Sequence, residues 1–314
     1  MIDIIIPCYN AKKTVTDTLL SIMYQTFTNY RVYLVNDAGK ENYEEEVMFF
    51  SKFFNIVEIR LKENRGPGYA RDYGVKHSYS DFIVFIDSDD VLANPNSLEY
   101  LYNSIRNSNN DFLVTAMSLN GQGSSSGHYG ALHGKIFRRS FIMEHNLSFN
   151  FERYTSEDSS FIELLLLFCA NQEQSEFISY ILRNVNEESI MHKTNEEKRL
   201  LDFVFQSIWV LEVGESVDEA YKNYVKFLSN YIAVFYYYNC RDSKLSGDEV
   251  NKINNLKRIC SKYLYEDERL REELTSQLRN KEEKDSRLPY FINIYDKFKE
   301  KVFDKVDLWF LLLF

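Results

Sequence analysis

Phe82-Ile83-Val84-Phe85-Ile86-Asp87-Ser88-Asp89-Asp90 is the stretch that decides the fold. An unbroken β-branched and aromatic run ends abruptly in a cluster of acids. A short continuous apolar run of this kind reads as a strand buried on both faces, as in parallel sheets. Similar runs precede it at residues 2–6, 30–35 and 55–61, bounded by Pro, Asn, Asp or Gly. Helical patterns lie between them at 11–24, 43–53 and 68–78. Strand–helix–strand alternation predicts an open, doubly wound α/β sheet, with its ligand site at the carboxyl ends of the strands. The notable polar residues fall there: Pro7-Cys8-Tyr9-Asn10, Asn36-Asp37 and Asp87-Ser88-Asp89-Asp90 each follow a strand directly.

The wider composition agrees. The chain has 314 residues, 45% hydrophobic and 27% charged, enough for about two domains and a substantial core. That apolar fraction excludes wholesale disorder. No run approaches the roughly 20 apolar residues of a spanning helix, which argues against an integral membrane protein. A net charge of −10 argues against a surface built to hold nucleic acid. Cys8, Cys169, Cys240 and Cys260 show no metal-type spacing and read as reduced structural thiols, which predicts a cytoplasmic protein. The first residues, Met-Ile-Asp-Ile-Ile-Ile-Pro, lack a basic region and a cleavage site, and so read as a strand rather than a signal peptide.

Nine of the eleven glycines fall at or before Gly134, and after about residue 195 long amphipathic helical patterns take over. This predicts a domain over 1–195 and a helical region over 196–314, with helices at 200–214, 217–238, 248–264 and 266–284. The Gly/Ser-rich stretch 121–134 reads either as a flexible connector or as a mobile loop over the site. The tail, 290–314, has an apolar stripe and a lysine-bearing face. It could dock on the helical region or on a second copy, or lie on an anionic membrane surface.

Three segments carry chemistry. Carboxylates two residues apart at a strand end, as in the 87–90 run, can converge on Mg²⁺ or Mn²⁺ and leave positions open for substrate phosphates. The same residues also serve helix caps and turns. In Asn64-Arg65-Gly66-Pro67-Gly68-Tyr69-Ala70-Arg71, glycines at a helix start let backbone N–H groups approach an anion, and Arg71 could offer a fixed fork to a diphosphate. A plain loop-to-helix turn with a surface arginine fits that segment equally. Glu157-Asp158 precedes an apolar helix and could be a cap or a catalytic pair.

The ordered combination of PCYN, ND, N-R-G-x-G-x-A-R-x-x-G, DSDD, GKIFRR at 134–139 and E-D-x-x-F at 157–161 resembles the family 2 glycosyltransferases. The resemblance covers roughly residues 1–195. It implies a GT-A-type fold: a mixed, mainly parallel sheet flanked by helices, followed here by the helical region. It also implies an inverting, metal-dependent transfer of a hexosyl or N-acetylhexosaminyl group from a nucleotide sugar, normally UDP-linked, to a hydroxyl.

By the same resemblance Pro7, Tyr9 and Asn10 line the nucleoside pocket and Asp37 contacts the base. Asn36 stands where the family often has a second acid, and Asp72 where it commonly has Asn. Asn64, Gly68 and Arg71 belong to the donor pocket, with Arg71 reaching the base or diphosphate. Asp87, with Ser88, contacts the ribose and Asp89 binds Mn²⁺ or Mg²⁺. Lys135 and Glu157 belong to the nucleotide-sugar site, and Asp158 is the general base. His192 or Ser189 completes the metal or diphosphate site, although a lone His after an aliphatic run is also a common structural residue.

The implied acceptors are surface polysaccharide, teichoic-acid-like polymer or lipid-linked oligosaccharide. Protein or a modified nucleic-acid base are alternatives within the same chemistry. The helical region would serve acceptor binding, homo-oligomerisation or peripheral membrane contact. Two other readings remain at this point: a non-catalytic nucleotide- or glycan-binding module, and a nucleotidyltransferase, which the E-D-x-x-F motif disfavours.

Overall fold

The computed structural model describes residues 1–125, 131–153, 155–168 and 170–183, with scattered positions between 202 and 251. The chain divides into two compact units, Met1–Asn195 and Glu196–Phe314. In the second unit every described position is helical. The remainder of the helices expected there, the tail 290–314, Ser189, His192 and the last three cysteines lie outside the described residues. Among the described residues no helix is long and apolar enough to cross a membrane.

The first unit opens with β1 (Ile2–Cys8), α1 (Val15–Met23), β2 (Tyr30–Asn36), α2 (Glu44–Phe50), β3 (Asn55–Arg60), α3 (Pro67–His77) and β4 (Phe82–Phe85). The four strands are parallel, in the order β3-β2-β1-β4. Their register aligns Cys8 with Asn36 and Ile5 with Phe85. The chain therefore leaves β1, β2 and β4 at one edge, bringing Asn10, Asp37 and Asp87 to the same end of the sheet, as their strand-end positions predict.

The rest of the unit comprises β5 (Val91–Leu92), α4 (Ser97–Arg106), β6 (Phe112–Leu119), β7 (Gln122–Ser125), β8 (Lys135–Arg138), α5 (Arg139–Glu144), α6 (Glu157–Leu167) and β9 (Gln172–Leu182). The sheet continues β4-β8-β6-β9-β5, with β7 added on β6. Strand β8 runs antiparallel to both neighbours, whereas β6 and β9 are parallel. The sheet is mixed, with most paired positions parallel, which is the expected fold class.

Both faces of the sheet are buried. On one, Ile2, Ile4 and Ile6 pack with Val15, Leu19 and Ile22 of α1 and Leu98, Leu101 and Ile105 of α4. The other carries an aromatic core. Phe85 lies 5.6 Å from both Phe137 and Phe149, and Phe149 stacks on Phe161 of α6 at 4.1 Å. This core places the start of α6 under the carboxyl end of β4.

Two expectations need correction. The 55–61 run is not a fully buried strand: among the described residues β3 pairs with β2 alone, and Ile56 is buried while Val57 is exposed. The 121–134 stretch is not a plain connector. It contributes β7, and its far end is fixed where the Gly134 carbonyl accepts the Thr115 N–H at 2.9 Å and the Thr115 hydroxyl at 2.7 Å.

Helix α3 begins at Pro67, in a position where the missing N–H costs nothing. It crosses β1 at Gly74, where a Cβ would lie 2.5 Å from Ile5 Cγ2. Gly74→Ala is therefore expected to destabilise the fold by about 1–3 kcal/mol through overpacking. A denaturant midpoint equal to that of the wild type would show that α3 can shift freely.

Candidate active site

The acids after β4 are held by a network of side chains from α3, the 131–134 stretch and the end of β9. Asp87 Oδ1 accepts from Arg71 Nη2 at 2.8 Å, and Oδ2 meets His133 Nε2 at 3.0 Å. The Asp87 N–H donates to the Tyr180 hydroxyl at 3.1 Å, which in turn donates to Asp90 Oδ2 at 2.7 Å. The Arg183 N–H donates to Asp90 Oδ1 at 2.7 Å, and its Nε donates to the Asp89 carbonyl at the same distance. Ser88 lies half-buried in this turn.

The charges shape one another. Burial opposes ionisation of Asp87, but Arg71 and His133 prevail and hold its carboxyl far below the ordinary range. Burial and the neighbouring Asp87 push Asp90 up to about 7. Burial works against the His133 imidazolium, yet Asp87 and Asp90 together raise its pKa.

Arg71 is the hinge of the site. Its side chain is 5% exposed and its second arm, Nη1, lies 2.6 Å from Glu157 Oε1. A single guanidinium thus ties the acidic run to the start of α6. Glu157 is pushed up to about 7 by burial, against the pull of Arg71. Asp158, the next residue, accepts the Ser159 N–H on Oδ1 at 2.8 Å. Its charge acts on Arg71, His133, Lys135 and Glu157, which places it in the same electrostatic neighbourhood. Both acids occupy the first turn of α6, where the helix dipole favours negative charge. Ser156 before them is left-handed, with φ 64°, an uncommon backbone for a residue with a Cβ.

The remaining expected residues mostly build the walls. Asp37 accepts the N–H groups of Arg65 and Gly66 at 2.9 and 2.8 Å, anchoring the loop that starts α3. Asn10 Oδ1 accepts the Lys40 N–H at 2.8 Å, joining the loops after β1 and β2. Tyr9 is 55% exposed at the same edge, Pro7 lies within β1, and exposed Asn64 accepts the Gly66 N–H at 3.2 Å. Lys135 is fully buried, and its Nζ donates to the Ala131 carbonyl; burial lowers its pKa to about 8 against the influence of Asp158.

Two details explain sequence features that motif reading left open. A Cβ on Gly68 would lie 2.9 Å from Glu157 Cγ, so this glycine admits the acidic pair to the side of α3. Asn36 donates to Glu58 at 3.0 Å and to the Glu41 carbonyl at 3.1 Å while accepting the Gly39 N–H. An aspartate could not make the two donations and would face Glu58 with like charge.

His133 was absent from the expected site. It lies in the Gly/Ser-rich stretch, where no periodicity marks it. With Asp87 and Asp90 it forms a group whose ligand atoms all fall within 4.8 Å of one another. Carboxylate oxygens and an imidazole nitrogen suit Mn²⁺ and are acceptable to Mg²⁺, so the donor set fits a divalent cation.

A doubly covered mixed sheet, with paired acids at a strand end facing an acidic pair at a helix start, defines a GT-A-like glycosyltransferase. Residues 3–163, half of the chain, match the family Glycosyl transferase family 2, and the protein belongs to that family. It is 23% identical over 291 residues to the poly(ribitol-phosphate) beta-N-acetylglucosaminyltransferase TarP of Staphylococcus aureus (strain N315), covering 83% of this chain and 88% of the relative. It spans less than half the length of several other curated relatives. Among solved structures it resembles Staphylococcus aureus TarS 1–349 in complex with UDP-GlcNAc, with a TM-score of 0.70 at 21% identity over 99% of this chain and 90% of the other. A more distant likeness, TM-score 0.55 at 12% identity over 88% and 83% of the two chains, is the mannosyltransferase PcManGT of Pyrobaculum calidifontis in complex with GDP-Man and Mn2+.

Proposed function

We propose that this glycosyltransferase moves a sugar from a UDP-linked donor to a hydroxyl of a surface glycan or polyol-phosphate polymer, with inversion at the anomeric carbon. The observation that carries this reading is the connected cluster in which Arg71 joins Asp87 to Glu157, with Asp158 next in the chain. That TarP is a poly(ribitol-phosphate) beta-N-acetylglucosaminyltransferase and that TarS binds UDP-GlcNAc support the donor and acceptor classes. Among candidate donors, UDP-N-acetylglucosamine comes first.

Each residue then has a task. The loops bearing Pro7, Tyr9, Asn10, Asp37 and Asn64 enclose the nucleoside, and Asp87 meets the ribose. The acidic run 87–90, Asp89 included, would hold Mn²⁺ or Mg²⁺, with His192 as a further expected ligand. Bound there, the cation would supply charge neutralisation for the departing diphosphate. Arg71 keeps the donor acids and the α6 acids in fixed relation. Asp158 accepts the proton of the acceptor hydroxyl as it attacks the face opposite the leaving group, and such a single displacement inverts configuration. The region 196–314 would serve acceptor binding, self-association or peripheral membrane contact, in a cytoplasmic enzyme.

The test is UDP release across a panel of nucleotide sugars, with Mn²⁺, with chelator and with Asp89→Ala. Release from one donor, lost on chelation and in Asp89→Ala, is the expected result. Undiminished release in chelator would overturn metal dependence, and absence of UDP binding by the wild type would overturn the donor reading.

A further inference from the structure

We propose that His133 is a positioning residue of the donor site, clamping Asp87 against Arg71 so that its carboxylate is presented in one orientation to the nucleotide. This rests on the reading of Asp87 as a donor-site acid. The two oxygens of Asp87 are taken from different sides: Oδ1 by Arg71 Nη2 at 2.8 Å and Oδ2 by His133 Nε2 at 3.0 Å. A carboxylate held by one partner can still rotate about its last bond; held by two charge-assisted bonds, it cannot do so without breaking one.

The imidazole is itself fixed. Its side chain is 14% exposed, its ring lies 5.1 Å from that of Tyr180, and the same nitrogen is 4.0 Å from Asp90. Tyr180 bonds both Asp90 and the Asp87 backbone. The ring therefore braces against the tyrosine that sets the turn and delivers its N–H to the acid that the turn presents. The following residues are anchored too, Gly134 to Thr115 and Lys135 to the Ala131 carbonyl, so the backbone that carries His133 is held. No periodicity or cap requires a histidine here. Its chemistry is explained by the acid it holds.

The test uses the full chain and measures UDP binding by calorimetry in saturating Mn²⁺, Mn²⁺ binding alone, and thermal melting. His133→Phe keeps a ring against Tyr180 and removes the N–H; His133→Gln keeps an N–H donor at similar reach. Loss of a charge-assisted bond predicts UDP affinity weakened roughly 10- to 100-fold in His133→Phe. Most of that affinity should return in His133→Gln, and Mn²⁺ binding alone, measured in the same variants, distinguishes a positioning residue from a metal ligand. Should the phenylalanine variant fail to melt cooperatively, His133→Leu provides the second deletion of the N–H. Equal weakening in all variants would mean that an N–H donor at this position does not restore binding, and would overturn the proposal. Wild-type UDP affinity in the Phe or Leu variant would overturn it as well. Loss of Mn²⁺ binding itself would make His133 a metal ligand instead. A wild-type protein that binds no UDP would instead sink the donor-site reading beneath it.

Discussion

Asp158→Asn lowers sugar transfer by roughly 10²–10⁴-fold, the usual contribution of a positioned general base, while UDP binding in Mn²⁺ stays at the wild-type value. The substitution is nearly isosteric. The Ser159 N–H at 2.8 Å retains an oxygen to bond, so the first turn of α6 keeps its local geometry. Asparagine gives up one negative charge at a helix start, an effect of about 0.3–1 kcal/mol at a partly exposed site, so melting shifts little. What disappears is the capacity to take a proton from the acceptor hydroxyl. Turnover with saturating donor and acceptor should collapse, and Kd for UDP should not. Near-wild-type turnover would remove Asp158 from the role of base. Equal losses in turnover and UDP affinity would make it part of the donor pocket.

The parallel half of this fold was legible because the sequence marks each strand twice, by an unbroken apolar run and by polar residues directly after it. The alignment of Cys8 with Asn36 and of Ile5 with Phe85 then brings those polar residues together without further information. The antiparallel half was less legible. Strand β8 inserts between β4 and β6 although it follows both in sequence, and β5 pairs with β9 some ninety residues away (Leu92 with Tyr180). No local pattern encodes such pairings.

Residue types were easier to read than contacts. Gly68 reads as part of an anion cradle, yet a Cβ there would crowd Glu157, just as one on Gly74 would crowd Ile5. Arg71 looked like a diphosphate fork, yet in this structure both of its terminal nitrogens bond carboxylates, one of them 86 positions away. A histidine in a Gly/Ser-rich stretch has no periodic signal. What makes His133 meaningful is a hydrogen bond to an acid 46 positions earlier.

The same guanidinium gives the largest expected stability effect. Arg71→Met removes the cation from between two carboxylates whose side chains are 27% and 7% exposed. Removing one partner of a buried ion pair leaves the other charge uncompensated, typically at about 3–5 kcal/mol. Partial hydration of Asp87 places the expected loss near 3 kcal/mol, the lower end of that range. Methionine retains the aliphatic packing, so the loss reports charge rather than a cavity. Arg71→Lys should fall between the two, because a single ammonium cannot span both acids as the fork does.

The deficit should also depend on pH, with a definite sign. Glu157 already has its folded pKa raised by burial to about 7, and without Arg71 that value rises further. A carboxyl whose folded pKa exceeds its unfolded value contributes its stability in acid and loses it as pH rises through the folded pKa. Protonation of Glu157 therefore relieves the variant below pH 7, and the gap to wild type widens above it. Chemical denaturation at pH 6 and pH 8.5 measures this directly, with the larger gap expected at pH 8.5. A gap below about 1 kcal/mol at both pH values, the scale of an exposed pair, would mean that the Asp87–Arg71–Glu157 bridge does not hold the two acidic motifs together. The link between the acids after β4 and those at the start of α6 would then have to come from the aromatic core formed by Phe85, Phe149 and Phe161.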